Sequence, residues 1–191
     1  MKKLIGILGL AALMAGVAYA PAQAQSLYVE GSAGITTQDQ LDWGGGTYDL
    51  DDGWNAGVAV GRSNVWTNWD AEVEFSYNEM EYSCCNPNNT NEYRLMANAT
   101  YNFAAGGFTP YVGGGLGAAW VTYENASGSY EREATVIAYQ LIGGVRVPVG
   151  ERWALFGEYR YQDTFEDPED AGLEWEHQGH NFAFGARVNL H

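Results

Sequence analysis

The sequence predicts an all-β fold, namely an eight-stranded antiparallel up-and-down transmembrane β-barrel. Three observations support this prediction. Eight segments alternate apolar and polar residues with the period of two that is typical of a β-strand. Each segment runs for roughly 9–13 residues, which suits a strand that crosses a bilayer at a tilt. The connections between the segments are alternately long and short, as they are in membrane barrels.

The N-terminal residues are predicted to lie outside this fold. Met1-Lys2-Lys3 forms a short basic start, and an uncharged run of apolar and small residues follows it up to Tyr19. Ala22-Gln23-Ala24 has the small-x-small pattern of a cleavage site. The run is shorter than the roughly 20 apolar residues of a membrane helix. We therefore predict a secretory signal peptide over residues 1–24 and a barrel domain over residues 25–191.

The first four strand segments each combine an apolar face with a polar or small one. The third segment shows the contrast most clearly, because Asp70, Glu72 and Glu74 alternate with apolar and aromatic residues. Such alternation gives a strand two chemically different faces. The apolar faces of these segments are Leu27, Val29, Gly31, Ala33 and Ile35, then Trp54, Ala56, Val58 and Val60, then Trp69, Ala71, Val73, Phe75 and Tyr77, then Tyr93, Leu95, Ala97, Ala99, Tyr101 and Phe103.

The fifth segment contains a pattern that also occurs in nucleotide-binding loops. In TPYVGGGLGAAW, residues 109–120, Gly113, Gly115 and Ala118 fit the spacing G-x-G-x-x-A. A phosphate loop requires a following helix, whose N-terminus holds the anion. Here an acidic segment follows, and it would repel phosphate. We interpret the segment as a strand on which Gly113, Gly115 and Gly117 face the lumen and leave room for arginines of other strands.

The last three segments continue the alternation, and no segment has the pattern of a long amphipathic helix. An all-β fold with an even number of strands follows from this pattern. The apolar faces of these segments are Ile137, Tyr139, Leu141, Val145 and Val147, then Trp153, Leu155, Gly157, Tyr159 and Tyr161, then Phe182, Phe184, Ala186, Val188 and Leu190.

The connections differ strongly in length and charge. The four long ones contain 18 acidic residues and one basic residue, Arg132. Outer-membrane barrels have long loops on the extracellular side and short turns in the periplasm, so we expect both chain termini in the periplasm. The long connections are residues 36–53, 78–92, 123–134 and 162–178, and the short ones are residues 62–68, 104–108 and 148–152.

Of the twelve remaining charges beyond residue 24, nine fall on the polar strand faces, three (Arg62, Glu151 and Arg152) fall in the short turns, and none falls on the apolar faces. An arginine at mid-membrane on the lipid side costs about 2–4 kcal/mol, so an uncharged face is suited to lipid. Acids and arginines on one face can pair inside a closed lumen, where a buried charge needs a partner. The predicted lumen charge network comprises Glu30, Asp70, Glu72, Glu74 and Glu158 with Arg94, Arg146, Arg160 and Arg187.

A soluble secreted barrel is the alternative, because periodicity alone does not tell which face points outward. Such a barrel would place the apolar face inside. Aromatic residues on the apolar face favour the membrane barrel, because they form two belts of the kind found at membrane interfaces. The belts are Trp69, Tyr101, Phe103 and Trp153 near the short turns, and Trp54, Tyr77, Tyr93, Trp120, Tyr161 and Phe182 near the long connections.

The net charge excludes nucleic acid as an expected partner. Without residues 1–24 the chain has no lysine, and its seven arginines stand against 24 acids, which gives a charge of −17. Nucleic-acid binding requires a basic surface.

Five strand motifs, taken in order, resemble those of a known family. They read MANATYNF, TPYVGGGLGAAWV, AYQLIGGVRVPV, FGEYRYQ and FAFGARVNL. The ordered set resembles the small outer-membrane β-barrel family of proteobacterial surface proteins, the OmpA-like and opacity-type group often labelled porin family. Members commonly end in a terminal aromatic residue that the assembly machinery reads. This chain ends in Leu190-His191, and we still expect insertion.

The resemblance implies an integral protein of the Gram-negative outer membrane, with a structural or surface-interaction, adhesin-like role. A small pore of the porin type is the alternative, and a barrel enzyme acting on lipid A is a weaker one. The expected partners are membrane lipid and lipopolysaccharide, the barrel assembly machinery, and host or surface ligands bound through the loops. We expect a monomer without cofactors.

Catalysis is not expected. The pattern that resembles lipid A deacylases of this barrel type is a His-x-Ser sequence on a strand, with an acidic residue nearby. Here His177 is followed by Gln178-Gly179, and His180 by Asn181-Phe182, so no serine has that spacing.

The last long connection offers weak candidates for a divalent cation site. Clustered carboxylates can bind Ca²⁺ or Mg²⁺. The spacing is not that of an EF-hand, so a solvated acidic loop is the other interpretation. The candidates are Asp163, Glu166, Asp167, Glu169 and Asp170.

The second long connection contains the adjacent cysteines Cys84 and Cys85. An exported protein meets an oxidising environment, although a bond between neighbours requires a strained peptide. We expect a local disulfide, with an intermolecular bond or free thiols as alternatives.

Overall fold

The computed structural model describes residues 26–38, 41–43, 46–48, 53–81, 89–124, 131–165 and 179–190. In this part of the chain, no helix is long and apolar enough to cross a membrane. The strands are β1 (Leu27–Gln38), β2 (Leu41–Trp43), β3 (Gly46–Tyr48), β4 (Gly53–Trp66), β5 (Trp69–Glu81), β6 (Asn89–Asn102), β7 (Thr109–Glu124), β8 (Glu131–Pro148), β9 (Trp153–Thr164) and β10 (Gly179–Asn189).

Eight of these strands form a closed antiparallel barrel in the order β1-β10-β9-β8-β7-β6-β5-β4. The first strand closes it, because Val29 of β1 lies opposite both Val60 of β4 and Val188 of β10. Closure pairs the backbone groups at every strand edge. A membrane requires this, because its hydrocarbon offers no hydrogen-bond partners. The predicted eight-stranded all-β barrel is confirmed. The signal peptide predicted over residues 1–24 lies outside the described residues.

The apolar faces of the strands point outward. Val58, Leu141 and Phe184 are 58%, 58% and 75% exposed, whereas Met96 and Gln140 are buried inside. A soluble barrel has the reverse arrangement, so the structure favours the membrane barrel over the soluble alternative. The reason is the inward position of the charged residues, which could not face lipid without a large desolvation cost.

Outward-facing aromatic rings form two bands. Near the short turns, Trp69 and Phe103 lie 5.4 and 5.0 Å from the ring of Tyr101. Near the long connections, Trp54 and Tyr93 lie 5.2 and 5.0 Å from the ring of Tyr77. These bands lie at the two ends of the apolar surface, where aromatic rings meet the membrane interface.

Two local features differ from the sequence prediction. Residues 62–68 are not all a turn, because β4 continues to Trp66 and its register shifts between Arg62 and Trp66. Asn64 and Asn68 take φ values of 53° and 64° there. Asparagine tolerates the left-handed region, so the chain can bulge before the tight turn. The small hairpin of β2 and β3 within residues 36–53 was not predicted either.

Candidate functional site: charged residues in the barrel lumen

Alternation along the strands places polar side chains inside the barrel. β5 contributes Asp70, Glu72 and Glu74, and β9 contributes Glu158 and Arg160. Apart from Glu72, these side chains are almost fully buried. Because successive positions point to opposite sides, every second residue of a strand reaches the lumen.

A first group of ion pairs lies near the short turns. Arg187 of β10 donates through Nε to the carboxylate of Glu30, and through Nη1 to Oδ2 of Asp70 at 2.7 Å. The guanidinium carbon of Arg187 also lies 3.5 Å from the ring centroid of Tyr28. Two carboxylates and an aromatic face therefore compensate one buried cation.

Arg146 of β8 reaches the same carboxylates from the other side. Its guanidinium nitrogens lie 3.7 Å from Glu30 Oε1 and 3.7 Å from Asp70 Oδ2. Nη1 also donates to Oδ1 of Asn102 at 3.1 Å, and the guanidinium carbon lies 4.7 Å from the ring centroid of Tyr111. The two arginines and two acids form one connected group across this end of the lumen.

A second group lies at the middle of the lumen. Arg160 donates from Nε and Nη2 to Oε1 of Glu158 on the same strand, at 2.9 and 2.5 Å. Its Nη1 donates to Glu74 of β5. Three strands separate β9 from β5 in each direction around the barrel, so this ion pair joins opposite walls. Tyr111 donates to the other oxygen of Glu158 at 3.0 Å.

A chain of amide side chains extends this group toward the long connections. Asn98 donates to Glu74 Oε2 at 2.8 Å, and Gln140 donates to Asn98 Oδ1 at 2.8 Å. Gln162 donates to Gln140 at 2.8 Å, and Asn181 donates to Gln162 at 2.5 Å. Successive hydrogen bonds of this kind orient every member of the network.

Glu72 lies between the two groups. Its carboxylate accepts hydrogen bonds from the hydroxyl of Tyr28 at 2.9 Å and from Nδ2 of Asn98 at 3.0 Å. Neutral donors thus hold this carboxylate, while the other predicted lumen acids pair with arginines.

One further lumen pair was not predicted. Glu92 belongs to β6, points inward and pairs with Arg94, whereas the sequence pattern predicts it in the long connection of residues 78–92. Extending the strand alternation one residue back from Tyr93 would have found it. With Glu92, the described lumen residues include six acids and four arginines.

The glycines of β7 face the lumen as predicted. A Cβ on Gly115 would collide with Oδ1 of Asn98, and one on Gly117 would lie 2.7 Å from the sulfur of Met96. Both neighbours belong to the inward face of β6. The glycines thus make room for the asparagine of the amide chain.

The other predicted sites lie elsewhere. Asp163 is not in a loop, because β9 extends to Thr164 and carries it on the outward face. No group of three His, Cys, Asp or Glu residues that could hold a metal ion occurs in the described residues. His180 lies outside the lumen, with Nδ1 2.6 Å from the hydroxyl of Tyr159. Outside the described residues lie the cation candidates Glu166, Asp167, Glu169 and Asp170, and the cysteines Cys84 and Cys85.

A closed barrel with an apolar exterior and a charged, hydrogen-bonded interior defines an integral membrane β-barrel. The model of the family described as outer membrane protein beta-barrel domain matches residues 8–189. The chain belongs to this family, which places it in the outer membrane. No curated protein sequence matches it significantly.

Several solved structures have a similar fold. Neisserial surface protein A is 18% identical with a TM-score of 0.66, and the match covers 88% of this chain and 100% of that one. The attachment invasion locus protein of Yersinia pestis, bound to the heparin analogue sucrose octasulfate, is 12% identical with a TM-score of 0.55 and the same coverage. The outer membrane enzyme PagL is 11% identical with a TM-score of 0.50, and the match covers 85% and 99% of the chains. At these identities the likeness concerns the fold alone.

Proposed function

We propose that the protein is a structural and surface-interaction component of the outer membrane, adhesin-like, with a lumen closed to solutes. The observation that carries this proposal is the ion pair between Arg160 and Glu74, which joins opposite walls at mid-height. The interior of an eight-stranded barrel is only wide enough for side chains to fill. A side chain that crosses it from wall to wall leaves little room for a solute.

The other lumen groups support the same conclusion. Arg146 and Arg187 with Glu30 and Asp70 obstruct the lumen on the short-turn side of that pair. The amide chain and the Glu92–Arg94 pair obstruct it on the other side. A solute would have to break several buried, charge-assisted hydrogen bonds in succession, and each such bond contributes about 1.5–3 kcal/mol.

Because the lumen is closed to solutes, the function resides at the ends of the barrel. We propose that the long connections face the cell exterior and that both termini face the periplasm, as in other bacterial outer-membrane barrels. Residues 36–53, 78–91, 123–134 and 162–178 contain 17 acids and one base, so the outer surface suits cationic partners, or divalent ions that bridge it to lipopolysaccharide phosphates. A polyanion such as the heparin analogue found with the Yersinia protein would be repelled.

Single-channel recording in planar bilayers tests the closed lumen. We expect no stable openings on the scale of hundreds of picosiemens, an order-of-magnitude mark for a water-filled lumen of this strand number. A variant with Arg160, Glu74 and Glu158 all changed to alanine removes the mid-height ion pairs, so brief openings should become more frequent than in the wild type, while the groups that remain at each end still prevent stable conduction. Leu141→Ala on the outward face is the control and should not conduct. Stable openings in the wild type would establish the porin-like alternative instead.

Surface proteolysis of intact cells tests the orientation and the surface role. We expect cleavage within the long connections while the barrel remains resistant to SDS unfolding. Capture experiments with each connection as a peptide would then identify which of them binds a partner. Protection of all four connections on intact cells, with cleavage only after the outer membrane is opened, would contradict the proposed orientation.

A further inference from the structure

A cluster of aromatic residues surrounds one carboxylate on the outward face of β8, β9 and β10. We propose that Asp163, together with Tyr139 and Tyr161, binds the positively charged ammonium group of a membrane lipid headgroup. Because the cluster lies outside the barrel, the proposal does not depend on whether the lumen conducts.

The position of Asp163 brings it to the depth of the headgroups. It lies on the same face of β9 as Trp153, which belongs to the aromatic belt near the short turns, and it lies ten residues further along the strand. At 3.4 Å per residue and a tilt near 40°, this distance corresponds to about 26 Å along the membrane normal. The apolar band of such barrels is about 25 Å tall. Asp163 therefore lies where the apolar surface ends and lipid headgroups begin.

Two tyrosine hydroxyls fix the carboxylate. Oδ2 of Asp163 accepts hydrogen bonds from Tyr139 at 2.7 Å and from Tyr161 at 3.2 Å. Oδ1 accepts one from the backbone amide of Thr164 at 2.7 Å. A carboxylate has about four lone-pair sites, so a further donor can still be accepted. The site is thus held in position before a ligand arrives.

The rings around Asp163 also attract cations. Tyr139 lies between Phe165 and Tyr161, at centroid distances of 4.9 and 6.4 Å. Tyr161 in turn lies 5.6 Å from His180. Aromatic faces bind ammonium groups through their negative quadrupole, and a nearby carboxylate adds a full charge. The combination is suited to an alkylammonium group.

Charge complementarity excludes a phosphate as the group bound by Asp163. Beyond residue 24 the chain has no lysine, and no arginine lies on the outward face of β9, of β10 or of residues 135–148 of β8. An anionic headgroup would meet the carboxylate of Asp163 without a basic side chain to offset it. A phosphoethanolamine group presents its ammonium instead.

Native mass spectrometry of the refolded protein in detergent micelles tests the site. The probes are phosphatidylethanolamine and its N-acetylated form, in which an amide replaces the ammonium and the headgroup becomes anionic; phosphatidylglycerol, equally anionic, serves as the reference for the effect of net charge alone. We expect the wild type to retain the first lipid about five-fold more than the second. Asp163→Asn should abolish this preference. Tyr159→Phe is the matched control, because its hydroxyl contacts His180, and it should keep the preference.

Equal retention of the two lipids by the wild type would overturn the proposal, as would retention of neither. A preference that persists in Asp163→Asn would also overturn it, and so would stronger retention of anionic phosphatidylglycerol. Gel mobility before and after heating verifies that each variant is folded. If Asp163→Asn does not fold, the comparison of the two lipids on the wild type decides alone.

Discussion

Arg160 and Glu74 form an ion pair between two strands that lie opposite each other across the barrel. Glu158 holds the same guanidinium from the strand of Arg160 itself, and Asn98 and Gln140 donate to Glu74. A charge at the centre of a narrow barrel has little water around it, so its neighbours must replace the lost hydration. The pair therefore links barrel stability to closure of the lumen.

Removing one partner of this pair should destabilise the barrel strongly. Arg160→Met leaves Glu74 and Glu158 buried without their cation, and we expect the free energy of unfolding to fall by about 3–5 kcal/mol. Urea titration in lipid vesicles, followed by tryptophan fluorescence, measures this change. Arg152→Met, in an exposed turn, is the control and should change stability by less than about 0.5 kcal/mol. Equal effects of the two variants would contradict the role assigned to the ion pair.

A charge on the outward face should be costly at mid-membrane and harmless in a turn. Leu141 and Val149 are 58% and 56% exposed, but only Leu141 lies within the apolar band. We expect Leu141→Arg to lower the free energy of unfolding by about 2–4 kcal/mol, because the cation is placed in hydrocarbon. Val149→Arg should have little effect. Vesicle unfolding measures both variants, and a tolerated Leu141→Arg would mean that this face does not contact lipid.

The glycines of β7 and β8 should differ in their tolerance of a large side chain. Gly115→Phe would place a ring on Asn98 and should hinder closure of the barrel. Gly143 has nothing within 4 Å of an added Cβ, so Gly143→Phe should fold. The shift in gel mobility between unheated and heated samples reports closure. A normal shift for Gly115→Phe would contradict the tight packing of β7 against β6.

The turn between β4 and β5 should depend on a residue that accepts the left-handed conformation. Asn64 has φ of 53°, and its backbone amide donates to Asp70 Oδ1 at 3.1 Å. Asn64→Val should lower the free energy of unfolding by about 1–2 kcal/mol, because a branched side chain is strained there. Asn64→Gly should be close to neutral. The same unfolding titration compares them, and equal stability of both variants would show that the bulge relaxes.

The sequence by itself determined the barrel, because its signal is local. Alternation with a period of two assigns each residue of a strand to a face, and the charges of Asp70, Glu72 and Glu74 identify the inward face of β5. Strand ends are less well predicted, since Glu92 precedes the predicted start of one strand and Asp163 follows the predicted end of another. Near the long connections both faces become polar, so the alternation loses its contrast.

Only the tertiary structure decided which lumen charges pair. The sequence places Arg160 and Glu74 on inward faces, but their contact depends on closure of the sheet, which brings β9 opposite β5. The same holds for Asp163, which meets Tyr139 only through the register of β8 and β9. A strand's pattern records which face is polar, whereas pairing across the lumen depends on strand order and stagger.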